Sequence, residues 1–310
     1  MESLNRMAVE LVDEAIDFAD ELTIAVHSLE GDAAALDFGV DVPGSLEAGL
    51  LLAEIQTAGL ATVGSTVEPV AGAPLTHVDL SCDHPALALL CAGKAGWELS
   101  VDGFEGLGSG PARALVAQED IFQRTGYGED FEMAVLAVET ETLPDEAVAA
   151  AVAERAGVNE SAVFLPAFSA ASVTGSVVAA SRAAELATFQ LAELGYDPRD
   201  ILSVSARAPA PPVAPHESEA MARGTDAVAY GSRVHMVVEK EYDRFEEVAS
   251  TAAEAYGRPF AAVFEDVGWD FAEIPVEAYG PAALTVDVVH GGTHTVGHTH
   301  EDVLAESFGL

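Results

Sequence analysis

Lysine is almost missing from this chain of 310 residues: only Lys94 and Lys240 occur, and arginine raises the cationic total to 13 against 52 acidic side chains. Phosphate backbones are bound by clustered Lys and Arg, so the shortage excludes a nucleic-acid partner and disfavours an anionic membrane surface. Cysteine is nearly absent as well. Cys82 and Cys91 form neither a CxxC pair nor a framework of bridges, which fits a reduced cytoplasm. No apolar run approaches the roughly 18 residues of a membrane span. No basic, apolar leader opens the sequence, and neither a G-x-S-x-G elbow nor a fixed-period repeat is present.

What is present is acid, distributed along the whole chain rather than gathered in a tail. The formal net charge is −39, yet half of the residues are hydrophobic. That combination describes a folded protein with an acidic coat, not a disordered one. Such a coat repels itself where the screening length is roughly 30 Å, at 0.01 M salt, and far less where it is about 3 Å, at 1 M. A very salty cytoplasm is the expected setting.

Residues 4–22 place apolar side chains at helical spacing, opposite a face of Glu and Asp. A hairpin is expected around Gly31-Asp32, a helix over 45–56, strands over 60–67 and 75–81, a helix over 86–95 and a strand over 97–101. Gly103, Gly106, Gly108 and Gly110 read as a glycine-rich loop entering a short helix at Pro111, a geometry able to turn N–H groups toward an anion. Its spacing matches neither a P-loop nor a dinucleotide fingerprint.

Strand 133–138, a helix from Pro144 to Ala156, strand 161–165 and a long small-residue helix over 170–194 follow. The proline-rich stretch 208–215 reads as an extended link and as the crossing between two halves. Beyond it, strands are expected at 226–230 and 233–238, an acidic helix at 241–256, a hairpin about Gly291-Gly292 and a last helical turn at 301–306. Interspersed strands and helices predict an α/β (α+β) fold of mixed sheets and helices. The domain division is drawn at 1–165 and 166–310, with interleaved segments.

Arg182 and Glu185 lie three apart on one helical face. An i,i+3 ion pair is ordinarily a surface device worth a few tenths of a kcal/mol. Here the surrounding residues 175–184 are almost uncharged, so a cleft is the better expectation. Lys94 sits at a glycine-flanked turn between helix and strand, where a cation satisfies a helix C-terminus. In a chain that dispenses with lysine, a functional role gains weight. His290, His294, His298 and His300 invite a metal reading, but they flank a Gly-Gly turn without a supporting cysteine, and no metal is expected.

Several segments together resemble one family: Asp41-Val42-Pro43-Gly44-Ser45, Asp83-His84-Pro85, Lys94-Ala95-Gly96-Trp97, Gly108-Ser109-Gly110-Pro111-Ala112-Arg113, Leu143-Pro144-Asp145, Ser181-Arg182 with Glu185, Glu219-Ala220-Met221-Ala222-Arg223 and Glu306-Ser307-Phe308-Gly309-Leu310. In order and across essentially the whole chain, they are similar to methenyltetrahydromethanopterin cyclohydrolase. The resemblance implies a homotrimer of two-lobed α/β subunits with an interdomain cleft for a tetrahydropterin one-carbon carrier, either tetrahydromethanopterin or a folate-type analogue. It implies reversible hydrolysis of the cyclic methenyl form to the formyl form, with the carrier as substrate and no cofactor.

By the same resemblance, Glu185 is the general base on water and Arg182 tunes it, while Gly93, Lys94 and Ala95 line the site. The glycine-rich loop and Arg113 are expected to engage the carrier's anionic tail or an inorganic anion. A non-catalytic pterin- or anion-binding protein of the same fold is the alternative.

Overall fold

The computed structural model describes residues 3–270 and 273–310. The chain divides into two compact units, Met1–Thr62 with Leu87–Val178, and Val63–Ala86 with Ala179–Leu310. The proline-rich stretch lies wholly inside the second unit, so it is not the crossing point that its composition suggested.

The first unit opens with α1 (Leu4–Asp17) and α2 (Ala19–Leu22), which interrupt at Phe18 the single helix read from the spacing. Amphipathic spacing fixes which face is buried but not whether the backbone is continuous. Its seven-stranded sheet comprises β1 (Ala25–Ser28), β2 (Ala34–Asp37), β5 (Trp97–Val101), β6 (Phe104–Ser109), β7 (Ala134–Val135), β8 (Ala137–Glu139) and β9 (Val163–Phe168), in the order β1-β2-β9-β8-β6-β5 with β7 also on β9. Strands β2, β7 and β8 run parallel to β9 and the other pairs are antiparallel, so the sheet is mixed, as expected.

Helices α3 (Leu46–Gln56), α4 (Ala112–Val116), α5 (Asp120–Thr125) and α6 (Glu146–Ala156) belong to the unit, and α7 (Val173–Ser181) begins in it and runs on past its last residue, Val178. Ser45 caps α3 by accepting from the Ala48 N–H at 3.1 Å. Asp145 caps α6 in the same way, through the Val148 N–H, so the helix begins one residue beyond the Pro144-Asp145 pair rather than at the proline. Close packing requires small residues on both helices: a Cβ on Gly175 of α7 would lie 2.6 Å from the Ala170 carbonyl oxygen, and one on Gly49 of α3 would lie 2.5 Å from the Val177 side chain. Two apolar clusters fill this unit, one around Leu4, Leu36, Leu52 and Phe168, the other around Trp97, Leu136, Val152 and Leu165.

The glycine-rich segment is a strand, not a loop. Gly106 and Gly108 alternate along β6 and so face the same way. Added Cβ atoms would meet Val138 at 2.7 Å and Leu136 at 3.0 Å. Glycine is required there by close packing, and no anion cradle forms.

The second unit carries a six-stranded sheet in the order β13-β12-β11-β10-β4-β3, built from β3 (Ala61–Val70), β4 (Ala73–Cys82), β10 (Ile201–Pro209), β11 (Arg233–Val238), β12 (Ala283–Val288) and β13 (Thr293–Gly297). Strand β10 absorbs the start of the proline-rich stretch, with Pro209 as its final residue opposite His77 of β4. Around the sheet lie α8 (Ala183–Glu193), α9 (Glu217–Gly231), α10 (Phe260–Asp266) and α11 (Glu301–Phe308).

Residues 226–230, expected as a strand, are the buried end of α9. After Asp226 the run Ala227-Val228-Ala229-Tyr230 is too short and too uniform to carry a period to choose by. The acidic helix expected over 241–256 is instead a pair of 3-10 turns, Phe245–Glu247 and Ser250–Ala252. There the ring of Phe245 packs with Tyr196, Tyr242 and His294, and that tertiary packing overrides local propensity.

Candidate functional site

Helix α7, which begins in the first unit and ends in the second, gives way to α8 at a one-residue turn occupied by Arg182, whose backbone N–H donates to Ala179 at 3.4 Å. Alanine at 183, 184 and 187 buries one side of α8, and Glu185 falls on that buried side. The Glu185 side chain is 8% exposed, and the Arg182 guanidinium stands 3.2 Å from one of its oxygens and 2.9 Å from the other. The surface ion pair is thereby excluded: a carboxylate largely removed from water is paired with a guanidinium that keeps 21% of its own surface. Such a couple can accept a proton from a bound water.

In the first unit, the helix expected over 86–95 is a π-helix, Ala86–Gly93. This winding is rare and is frequent at functional positions. Its C-terminal carbonyls have no partners within the helix, and Arg113 supplies them. The Arg113 side chain is fully buried, and Nη1 donates to the carbonyls of Leu90, Cys91 and Ala92 at 3.3, 3.3 and 3.0 Å. Nη2 donates to Leu90 at 3.3 Å and to Glu119 Oε2 at 2.7 Å, while Nε donates to Glu119 Oε1 at 2.8 Å.

A guanidinium has five N–H donors in a fixed fork, and protein acceptors occupy that fork. The expected contact of Arg113 with a carrier's tail therefore gives way to support of the backbone that leads into Gly93.

Lys94 Nζ lies 3.2 Å from Glu119 Oε2, so one carboxylate serves both cations. Burial pushes the Glu119 carboxyl up, but the hydrogen bonds and charge of Arg113, joined by Lys94, outweigh it and hold it below the usual range. Glu119 carried no signal in the sequence. One acid among 52 is unremarkable, and only folding brings it to Arg113 and Lys94.

Both thiols are buried, and burial pushes Cys82 and Cys91 to about 11, far from a reactive thiolate. His294 pairs with Glu241 at 2.8 Å, whereas the rings of His298 and His300 pack beside Tyr256. Among the described residues no group of three or more His, Cys, Asp or Glu side chains could hold a metal ion, and no helix is long and apolar enough to cross a membrane.

Residues 3–308 match the family described as Cyclohydrolase (MCH). The chain belongs to this family. It is 55% identical over 310 residues to the methenyltetrahydromethanopterin cyclohydrolase of Halobacterium salinarum, with both chains covered completely. It is 36% identical to the enzyme of that name from Methanocella arvoryzae, over all of this chain and 99% of the relative. With its counterpart from Methanothermobacter marburgensis the identity is 35%, both chains being covered in full. As a member of the cyclohydrolase family, the chain shares its full length with relatives named as methenyltetrahydromethanopterin cyclohydrolases.

Proposed function

We propose that this cyclohydrolase adds water to the methenyl bridge of a 5,10-methenyl-tetrahydropterin and releases the formyl form, reversibly. The substrate carrier is tetrahydromethanopterin, as the names of its relatives have it, or a folate-type analogue. The observation that carries the reading is the buried Glu185 carboxylate with both oxygens within 3.2 Å of the Arg182 guanidinium.

The methenyl bridge is an amidinium-like cation, and its carbon is already electrophilic. What the reaction lacks is a nucleophile at neutral pH. Glu185 orients a water and accepts its proton as the oxygen attacks, a contribution of roughly 10²- to 10⁴-fold. Arg182 keeps the carboxylate ionised before the transfer and fixes its orientation. The proton then passes from Glu185 to the departing nitrogen as the carbon–nitrogen bond breaks, and the adduct's hydroxyl gives up its own proton to solvent to become the formyl carbonyl on the other nitrogen, so that one proton is released for each cation hydrolysed. The Gly93–Ala95 segment contacts the carrier and offers donors to the oxygen that becomes formyl. Arg113 supports that segment instead of touching the substrate. The working form is a cytoplasmic homotrimer.

The test mixes the purified protein in concentrated KCl with methenyl-tetrahydromethanopterin and, separately, methenyl-tetrahydrofolate, and follows the methenyl absorbance. Loss of absorbance with at least one carrier, abolished by Glu185→Gln while carrier binding is retained, is the expected result. Binding without any turnover in the unsubstituted protein would make it a pterin-binding protein and end the proposal.

A further inference from the structure

We infer that Glu119 is a positioning residue for the Gly93–Ala95 segment, acting through Arg113 and Lys94; this rests on the reading that the segment contacts the carrier. Glu119 stands at the N-terminal boundary of α5, yet its side chain does not cap that helix. Its two oxygens go to Arg113 Nε and Nη2 at 2.8 and 2.7 Å, a fork-to-fork pairing that fixes orientation as well as distance. The second oxygen also takes Lys94 Nζ at 3.2 Å.

The two partners reach the segment from different sides. Arg113 holds the carbonyls of Leu90, Cys91 and Ala92, the last ones before Gly93. Lys94 is the central residue of the segment itself. Beyond it, the Gly96 N–H donates to Gly108 of β6 at 3.0 Å, and Gly110 donates to Ala92 at 2.9 Å, so both ends of the turn are tied to one wall. A buried guanidinium deprived of its counter-charge is strongly unfavourable, and Arg113 could then no longer hold the three carbonyls in place. Removing the charge of Glu119 thus releases the segment from both directions.

Gly96 supports the same conclusion independently. Its φ does not lie in the left-handed region, so the backbone does not require glycine there. A Cβ would instead fall 2.9 Å from Arg113 Nε and 2.9 Å from Glu119 Oε2. The glycine leaves room for the ion pair to press against the turn. Donors aimed at a developing oxygen act through fixed geometry, and a displacement on the order of 1 Å can lower a rate about 100-fold while leaving ground-state contacts largely intact.

Glu119→Gln removes the charge and Gly96→Ala wedges the pair apart with every charge kept. Each is assayed beside the unsubstituted protein in concentrated KCl at saturating carrier, with activity expressed per folded molecule by circular dichroism. Both variants are expected to lose roughly 10- to 100-fold in kcat with KM changed by less than about threefold. A purely structural role would lower the thermal midpoint and leave kcat per folded molecule unchanged. Should Glu119→Gln not fold, Gly96→Ala decides alone. Wild-type kcat in a folded variant, or a loss confined to KM, overturns the inference while leaving the cyclohydrolase reading intact. Inactivity of the unsubstituted protein with both carriers overturns that reading instead, and this inference with it.

Discussion

The Ser307 hydroxyl donates to Asp226 Oδ2 at 2.6 Å, tying the C-terminal helix to a carboxylate with no exposed surface. The other oxygen accepts from the Phe260 N–H at 2.9 Å, so α9, α10 and α11 meet at one side chain. Burial dominates its titration and, despite these two hydrogen bonds, raises the carboxyl to about 7, with Glu306 adding to the rise. Since the unfolded value is near 3.8, the native state retains a proton that the unfolded chain gives up between about pH 4 and 7. Stability from this group is complete below that window and is lost as pH rises through it. Asp226→Asn should therefore unfold at a higher temperature than the unsubstituted protein at pH 8 and at the same temperature or lower at pH 4. Melting curves that keep a constant offset between pH 4 and 8 would refute the assignment.

Replacing Arg182 by Gln removes the guanidinium that stands 2.9 Å from Glu185. Hydrolysis should fall by roughly 10²-fold or more with circular dichroism unchanged. Arg182→Lys should recover little of it, because the rigid guanidinium plane holds Nη2 against both carboxylate oxygens and a freely rotating ammonium lacks that constraint. Full activity in the lysine variant would show that charge alone suffices.

Gly106→Ala should destabilise the first unit by about 1–3 kcal/mol, because the new methyl meets Val138 at 2.7 Å in a filled sheet interior. The denaturation midpoint in guanidinium chloride measures this. Inorganic phosphate should protect neither protein from unfolding, since the glycines make a strand and not an anion cradle. Phosphate-dependent stabilisation would reinstate the cradle.

Dilution below molar salt should unfold the chain as screening of its −39 charge is lost. The far-ultraviolet circular dichroism should collapse as KCl is dialysed away and return on its restoration. A native spectrum in dilute buffer would count against salt adaptation.

Elements with a clear period or a clear boundary signal were legible before folding. The hairpin about Gly31-Asp32, the Ser45-capped helix, the Trp97–Val101 strand and the hairpin about Gly291-Gly292 all stand where the spacing placed them. Illegible were the segments whose side chains are uniform. Residues 227–230 beyond Asp226 are Ala-Val-Ala-Tyr and buried throughout, residues 241–256 are acid-rich with aromatics that find partners far away in sequence, and β6 mimics a loop through its glycines. In each of these the local pattern admits more than one backbone, and contacts from elsewhere choose.

The candidate site divides in the same way. Arg182 and Glu185 are three residues apart, so helical geometry alone makes them neighbours, and the chain's charge and family are likewise properties of its residues in order. Whether that pair meets water, that Arg113 spends its donors on backbone carbonyls, and that Glu119 answers Lys94 across 25 residues were decided only by the fold. Burial and long-range charge pairing depend on which surfaces pack together, and no local spacing encodes that.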